Sequence, residues 1–107
     1  MLATTHDEAI ALALVERLRT VFDVQRAVWF GSRAIGRGTP DSDWDLLVVA
    51  ATPLDPWARM SLALRVTQDL AVSRDIFVAT PDEYARMRTQ RGTIPWAAET
   101  DGRVLAA

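Results

Sequence analysis

Between Val28 and Val49 the chain reads VWFGSRAIGRGTPDSDWDLLVV, an order that few folds accommodate. An apolar run from Val28 to Phe30 stops at Gly31-Ser32, and a polar stretch carrying Gly36, Gly38 and Pro40 follows. Asp43 and Asp45, two apart, then head a second apolar run from Leu46 to Val49. Val, Trp, Phe and Leu at this density mark short buried strands, and Gly31 marks a place where backbone must come close to something. Residues two apart in a strand share a face, so the two carboxylates lie about 6.6 Å apart along the chain at about 3.3 Å per residue. Left unpaired, they repel by roughly 2.5 kcal/mol at an effective dielectric near 20. A divalent cation bridging them is a natural reason to keep both. Ser32 and the N–H groups near it can donate to phosphate, and Arg33 and Arg37 can add charge-assisted contacts. Singly, each piece is weak: Gly-Ser also ends ordinary strands, and Asp41, Ser42 and Asp43 also serve as turn formers after Pro40.

The flanking sequence predicts what surrounds these strands. Thr4 or Thr5 can cap a helix from about Asp7 to Val21, with Asp7 and Glu8 in its favourable first turn and Ile10, Leu14, Leu18 and Val21 on one packing face. His6, the only histidine, sits just ahead of that helix and reads as solvated. Asp23 to Arg26 make a connection, and Ala27 to Phe30 a buried strand. Pro53 and Pro56 end the second strand and open a helix to about Leu70. Trp57, Met60, Leu64 and Thr67 share one face of it, a stripe that reads as core, broadened by Leu62, Val66 and Leu70. Asp75 begins a third short strand, Asp75 to Val78, and meets the other two acids if the strands are neighbours; the bland alternative is a salt bridge with an arginine. Thr80-Pro81-Asp82-Glu83 is a capping box that starts another helix, turning Tyr84 and Met87 inward. Beyond Gln90 the pattern weakens. Arg86, Arg88 and Arg91 form a basic cluster that reads as a solvated face, Gly92 and Pro95 interrupt regular structure, Trp96 to Glu99 suit a short helix, and Val104-Leu105 a segment packing back on the body.

Length and composition remove whole classes of chemistry. The chain of 107 residues, half of them apolar, makes one domain, residues 1–107, with a single core. All twelve basic residues are arginine. Without lysine there is no lysine adduct or base, and without cysteine no thiol nucleophile, disulfide or cysteine metal site. A formal charge of -2 gives no field that favours nucleic acid or an anionic membrane surface. The opening lacks a basic segment followed by a long apolar one, and no apolar run approaches a membrane span, so the expectation is a soluble cytoplasmic protein.

The run from Gly31 to Asp45 resembles the signature of the nucleotidyltransferase fold of the DNA polymerase β superfamily, in which Gly-Ser is followed ten residues later by Asp-x-Asp. Within it, the chain's size and the string GSRA…G…PDSDWDLLV are most similar to the minimal nucleotidyltransferase (MNT) proteins, often encoded beside a HEPN-domain protein. The leading helix, Asp75 and the ending from Gly102 to Leu105 also fall where that family has them. The resemblance implies an α/β (α+β) fold, a small mixed sheet flanked by helices, and transfer of AMP from Mg-ATP to an acceptor hydroxyl. By the same resemblance Gly31 and Ser32 bind the triphosphate, Arg33 assists there, Asp43 and Asp45 hold magnesium, and Asp75 completes the triad. One departure stands out: the family commonly has Arg two residues after the position of Arg33, where this chain has Ile35. Trp44, between the acids, points to the opposite face as core.

The role the resemblance implies is that of an antitoxin which binds a HEPN ribonuclease toxin and adenylylates a tyrosine near its active site. AMP there adds bulk and negative charge where RNA phosphate must bind. Two other readings stay open: an antitoxin that masks its partner by contact alone, and a transferase acting on a small-molecule hydroxyl such as an aminoglycoside. Direct nucleic-acid binding is not expected, since no strongly basic groove is evident. Four Trp and an apolar C-terminal third leave room for an interface, including an oligomeric one.

Overall fold

The computed structural model describes residues 5–107, Thr5 by its backbone alone; the expected cap at Thr4 or Thr5 lies outside the described residues. Four strands, β1 (Val24–Phe30), β2 (Trp44–Ala50), β3 (Arg74–Ala79) and β4 (Arg103–Ala106), form one mixed sheet in the order β3-β2-β1-β4. β1 runs antiparallel to both β2 and β4, whereas β2 and β3 are parallel. Four helices accompany them: α1 (Thr5–Leu18), α2 (Pro56–Val66), α3 (Pro81–Met87) and α4 (Ile94–Asp101), with a 3-10 turn at Gln68–Leu70 after α2. The expected small mixed sheet flanked by helices is the architecture observed.

Both faces of the central strands are covered, which is why their sequences run apolar without alternation. On one face Trp29, Leu46, Val48 and Ile76 pack against Ala11, Leu14, Val15 and Leu18 of α1 and Ala63 of α2. On the other, Val28, Phe30, Leu47 and Ala79 pack against Ala98 of α4, with Tyr84 and Ile94 alongside. Asp45 shares this second face with Leu47, and Asp75 with Phe77.

Several boundaries and faces differ from the sequence expectation, each for a physical reason. Helix α1 stops at Leu18 rather than Val21: the chain turns there, the Phe22 amide donates to Leu18 O at 2.9 Å, and Phe22 is buried while Val21 is exposed. His6 lies inside α1 rather than ahead of it, and is exposed. Strand β1 begins at Val24, because Val24 and Arg26 pair with Ala50 and Val49 across an irregularity in the ladder. The largest departure is on α2. Trp57, Met60 and Leu64 are exposed, Trp57 to 77%, and the inward side is carried by Arg59 and Ala63.

Arg59 is buried because its guanidinium has partners on three elements: it donates to Leu54 O at 2.7 Å, to Val78 O at 3.3 Å and to Glu83 Oε1 at 2.8 Å. Thr67, expected on the same stripe as Trp57, is fully buried, its hydroxyl donating to Ala63 O and accepting from Arg74 Nε. The capping box at Thr80 and Glu83 is formed. Pro95 opens α4 from within its first turn instead of interrupting it, with Thr93 as the N-cap, so the helix is longer than Trp96 to Glu99. The terminal segment packs back as β4 against β1.

Candidate active site

Parallel pairing of β2 with β3 sets Asp45 directly beside Asp75, and antiparallel pairing sets it opposite Phe30 at the end of β1. Gly31 follows with φ +85°, and a Cβ there would run into the Asp45 carboxylate. Only glycine meets both demands, since the left-handed conformation and the missing side chain are needed together. Asp43 enters from the residue before β2, where the Trp44 amide donates to Ser73 O at 3.0 Å and the Ser73 hydroxyl donates to Asp43 Oδ1. Carboxylate oxygens of Asp43, Asp45 and Asp75 all lie within 4.8 Å of one another.

No arginine pairs with any of the three among the described residues, so the alternative of a salt bridge at Asp75 is not what forms. The electrostatic cost shows at Asp45 and Asp75. Burial, then the charges of Asp75 and Asp43, pushes the Asp45 carboxyl up to about 6. Asp75 is raised as well, by burial first and then by the charge and hydrogen bond of Asp43. Two half-buried carboxylates and an exposed one, with no protein cation among the described residues, are a hard-oxygen donor set, the kind that suits Mg2+. The residues present therefore fit the metal.

The sequence-predicted phosphate residues divide. Ser32 starts a run of turns in which Ala34 N donates to Gly31 O and Arg37 N to Ser32 O. Among the described residues, the Ser32 and Arg33 amides donate to nothing in the chain, which leaves two N–H groups beside the acids for an anion. Arg33, expected to assist at a triphosphate, has its side chain buried on the opposite side, its guanidinium carbon 3.7 Å from the centroid of the Trp44 ring. Trp44 faces the α1 core, as expected, and so Arg33 lies across the sheet from Asp45. Arg37 and Ile35 are exposed.

Sequence reasoning missed Ser73, whose hydroxyl orients Asp43; its place two residues before Asp75 was the available signal. It also gave no sign of a cavity of about 400 Å3 on the acid-bearing face, lined chiefly by Leu47, Phe77, Met87, Ile94 and Pro95. Two of its sheet residues, Leu47 and Phe77, follow Asp45 and Asp75 by two positions.

Among known proteins, the nucleotidyltransferase domain family matches residues 12–99. Comparison with curated proteins gives no match. Among solved structures, the chain is similar to one from a toxin-antitoxin crystallised with AMP-PNP, at 25% identity and a TM-score of 0.66, covering 88% of this chain and 70% of that one. A chain of the toxin-antitoxin MntA-HepT has a TM-score of 0.60 at 22% identity, covering 91% of this chain and 69% of that one. A chain from the complex of the tri-AMPylated Shewanella oneidensis HEPN toxin with its MNT antitoxin has a TM-score of 0.57 at 21% identity, covering 92% and 70%. The last two are likenesses of fold. With the family match spanning most of the chain and three acids meeting beside Gly31-Ser32, this protein belongs to the nucleotidyltransferase domain family.

Proposed function

We propose that this nucleotidyltransferase is an MNT-type antitoxin that moves AMP from Mg-ATP to a tyrosine hydroxyl of a HEPN ribonuclease toxin. The observation that carries the reading is the meeting of Asp43, Asp45 and Asp75 within 4.8 Å on neighbouring strands beside the free amides of Ser32 and Arg33. Further support comes from the relatives' assemblies: one was crystallised with AMP-PNP, and another holds an AMPylated HEPN toxin.

In this reading Asp43 and Asp45 hold Mg2+, and Asp75 shares it. The metal, when bound, would supply positive charge to offset the negative charge on the phosphate oxygens. The chain's own groups do the rest. The turn after Gly31 receives the triphosphate through the Ser32 hydroxyl and the two unpaired amides. Asp75, raised above the usual carboxylate range and more exposed than Asp45, stands where an incoming hydroxyl can pass it a proton. The acceptor oxygen forms a bond to the α-phosphorus, the α–β phosphoanhydride breaks, and pyrophosphate leaves. AMP on the toxin then excludes and repels RNA phosphate.

The test is to mix the protein with ATP, Mg2+ and its HEPN partner and to measure the intact mass of both chains. The expected result is AMP added to a partner tyrosine, absent when Asp43 and Asp45 are changed to Ala. A stable complex with no change in mass would overturn the transfer and leave neutralisation by contact.

A further inference from the structure

The polypeptide between Ser32 and Asp43 has no helix or strand to hold it, yet it joins the two halves of the site. Its internal bonds are short-range: Arg37 N to Ser32 O at 2.8 Å, Gly36 N to Arg33 O at 3.2 Å, Ser42 N to Thr39 O at 3.0 Å, Thr39 N to Ser42 Oγ at 2.8 Å and a hydroxyl pair between Thr39 and Ser42 at 3.2 Å. The one side chain that spans its length is Arg33. Nε donates to Ser42 O at 2.8 Å and one terminal nitrogen to Pro40 O at 3.3 Å. The other terminal nitrogen pairs with Asp7 Oδ1 of α1 at 3.2 Å. Both members of that pair are nearly buried, at 11% and 13% side-chain exposure.

Beneath the guanidinium lies Trp44, whose Nε1 donates to the Asp7 backbone carbonyl at 3.1 Å. Gly38 completes the fit, since a Cβ there would stand 2.6 Å from Arg33 Cγ. A planar fork is the one side chain able to reach two carbonyls and a carboxylate at once. The carbonyls it grips, Ser42 and Pro40, lie one and three residues before Asp43.

We propose that Arg33 is a positioning residue: with Asp7 and Trp44 its side chain clamps the exit of the loop to α1, holding Asp43 in reach of Asp45 and Asp75, and that side chain never touches nucleotide. This rests on the metal-binding reading of the three acids. It reverses the role that the sequence resemblance implies for Arg33, and it makes Asp7, far along the chain and on the other face of the sheet, a contributor to metal affinity.

The test compares Arg33→Lys, which keeps the charge and loses the fork, with Asp7→Asn and with the double variant. Mn2+ binding is read by electron paramagnetic resonance, metal-free tripolyphosphate binding by calorimetry, and amide exchange over residues 37–43 by mass spectrometry. Thermal melts confirm that each variant is folded. Losses of outer-sphere partners commonly weaken metal sites tenfold or more. Both single variants are expected to weaken Mn2+ binding by about tenfold, to speed exchange in the loop and to leave tripolyphosphate binding unchanged. The double variant should be no worse than Arg33→Lys, because the two residues act as one unit. Weakened tripolyphosphate binding in Arg33→Lys, with Mn2+ binding and loop exchange unmoved in Asp7→Asn, would overturn the proposal. If the unaltered protein fails to bind Mn2+, the metal reading itself falls, and unchanged loop exchange in both variants would then dispose of the clamp separately.

Discussion

Asp45 is held in place by neighbours that oppose its charge. It is flanked by two carboxylates, walled by Phe30 and pressed by the Gly31 backbone, so its carboxyl is raised to about 6 rather than lowered. The linkage sign follows: a raised carboxylate binds protons more tightly folded than unfolded, so stability is lost as pH climbs from its ordinary 3.8 through about 6. Above that range a divalent cation should restore it. Asp45→Asn removes one charge, and should raise the metal-free stability at pH 8 by about 1 kcal/mol, after discounting for the half-exposed position. The same change should abolish stabilisation by Mg2+. Urea melts at pH 5 and pH 8, with and without Mg2+, check both parts; a variant less stable than the parent at pH 8 without metal would contradict this account of the site. At this scale Gly31, Asp43, Asp45 and Asp75 were legible through their order and spacing taken together, since each alone also fits a strand end, a turn or a salt bridge. Arg33 was not, since an arginine beside Gly-Ser reads equally as a ligand for phosphate and as a fork for carbonyls.

Helix α2 shows where element-level reading fails. Its sequence carries two overlapping stripes, Trp57-Met60-Leu64 and Arg59-Leu62-Ala63-Val66, and hydrophobicity favours the first. Burial favours the second, because Arg59 spends its guanidinium on Leu54 O, Val78 O and Glu83 and passes as a core residue. Trp57 is left 77% exposed. Replacing it by Ser should therefore move the stability by less than about 0.5 kcal/mol, as for surface positions free of special contacts. Chemical denaturation measures it, and a loss above about 2 kcal/mol, the range for a buried large side chain, would show that Trp57 is packed after all. Capping was more legible than facing. Thr80 and Glu83 were identified from a four-residue pattern whose geometry is local, whereas the inward side of α2 depends also on Val78 and Glu83, 19 and 24 residues from Arg59.

Across the whole molecule, the sheet order brings together what the chain keeps apart. Asp43 and Asp45 are 32 and 30 residues from Asp75 in sequence, and only the parallel pairing of β2 with β3, made through the crossover of α2, sets Asp75 beside Asp45. That adjacency could be expected from the family resemblance but not from strand patterns, which name no neighbours. The apolar cavity behind Phe77 was illegible for the same reason: its lining comes from β2, β3 and the α3–α4 connection together. The central claim is that this assembled centre transfers a nucleotidyl group to a protein. The most direct measurement supplies ATP labelled with phosphorus-32 at the α or the γ position, together with Mg2+ and the HEPN partner, and follows the label into protein. Label is expected on the partner from the α position alone, lost in the Asp43→Ala, Asp45→Ala variant. Label arriving from the γ position, or none arriving while ATP stays bound beside the partner, would contradict it.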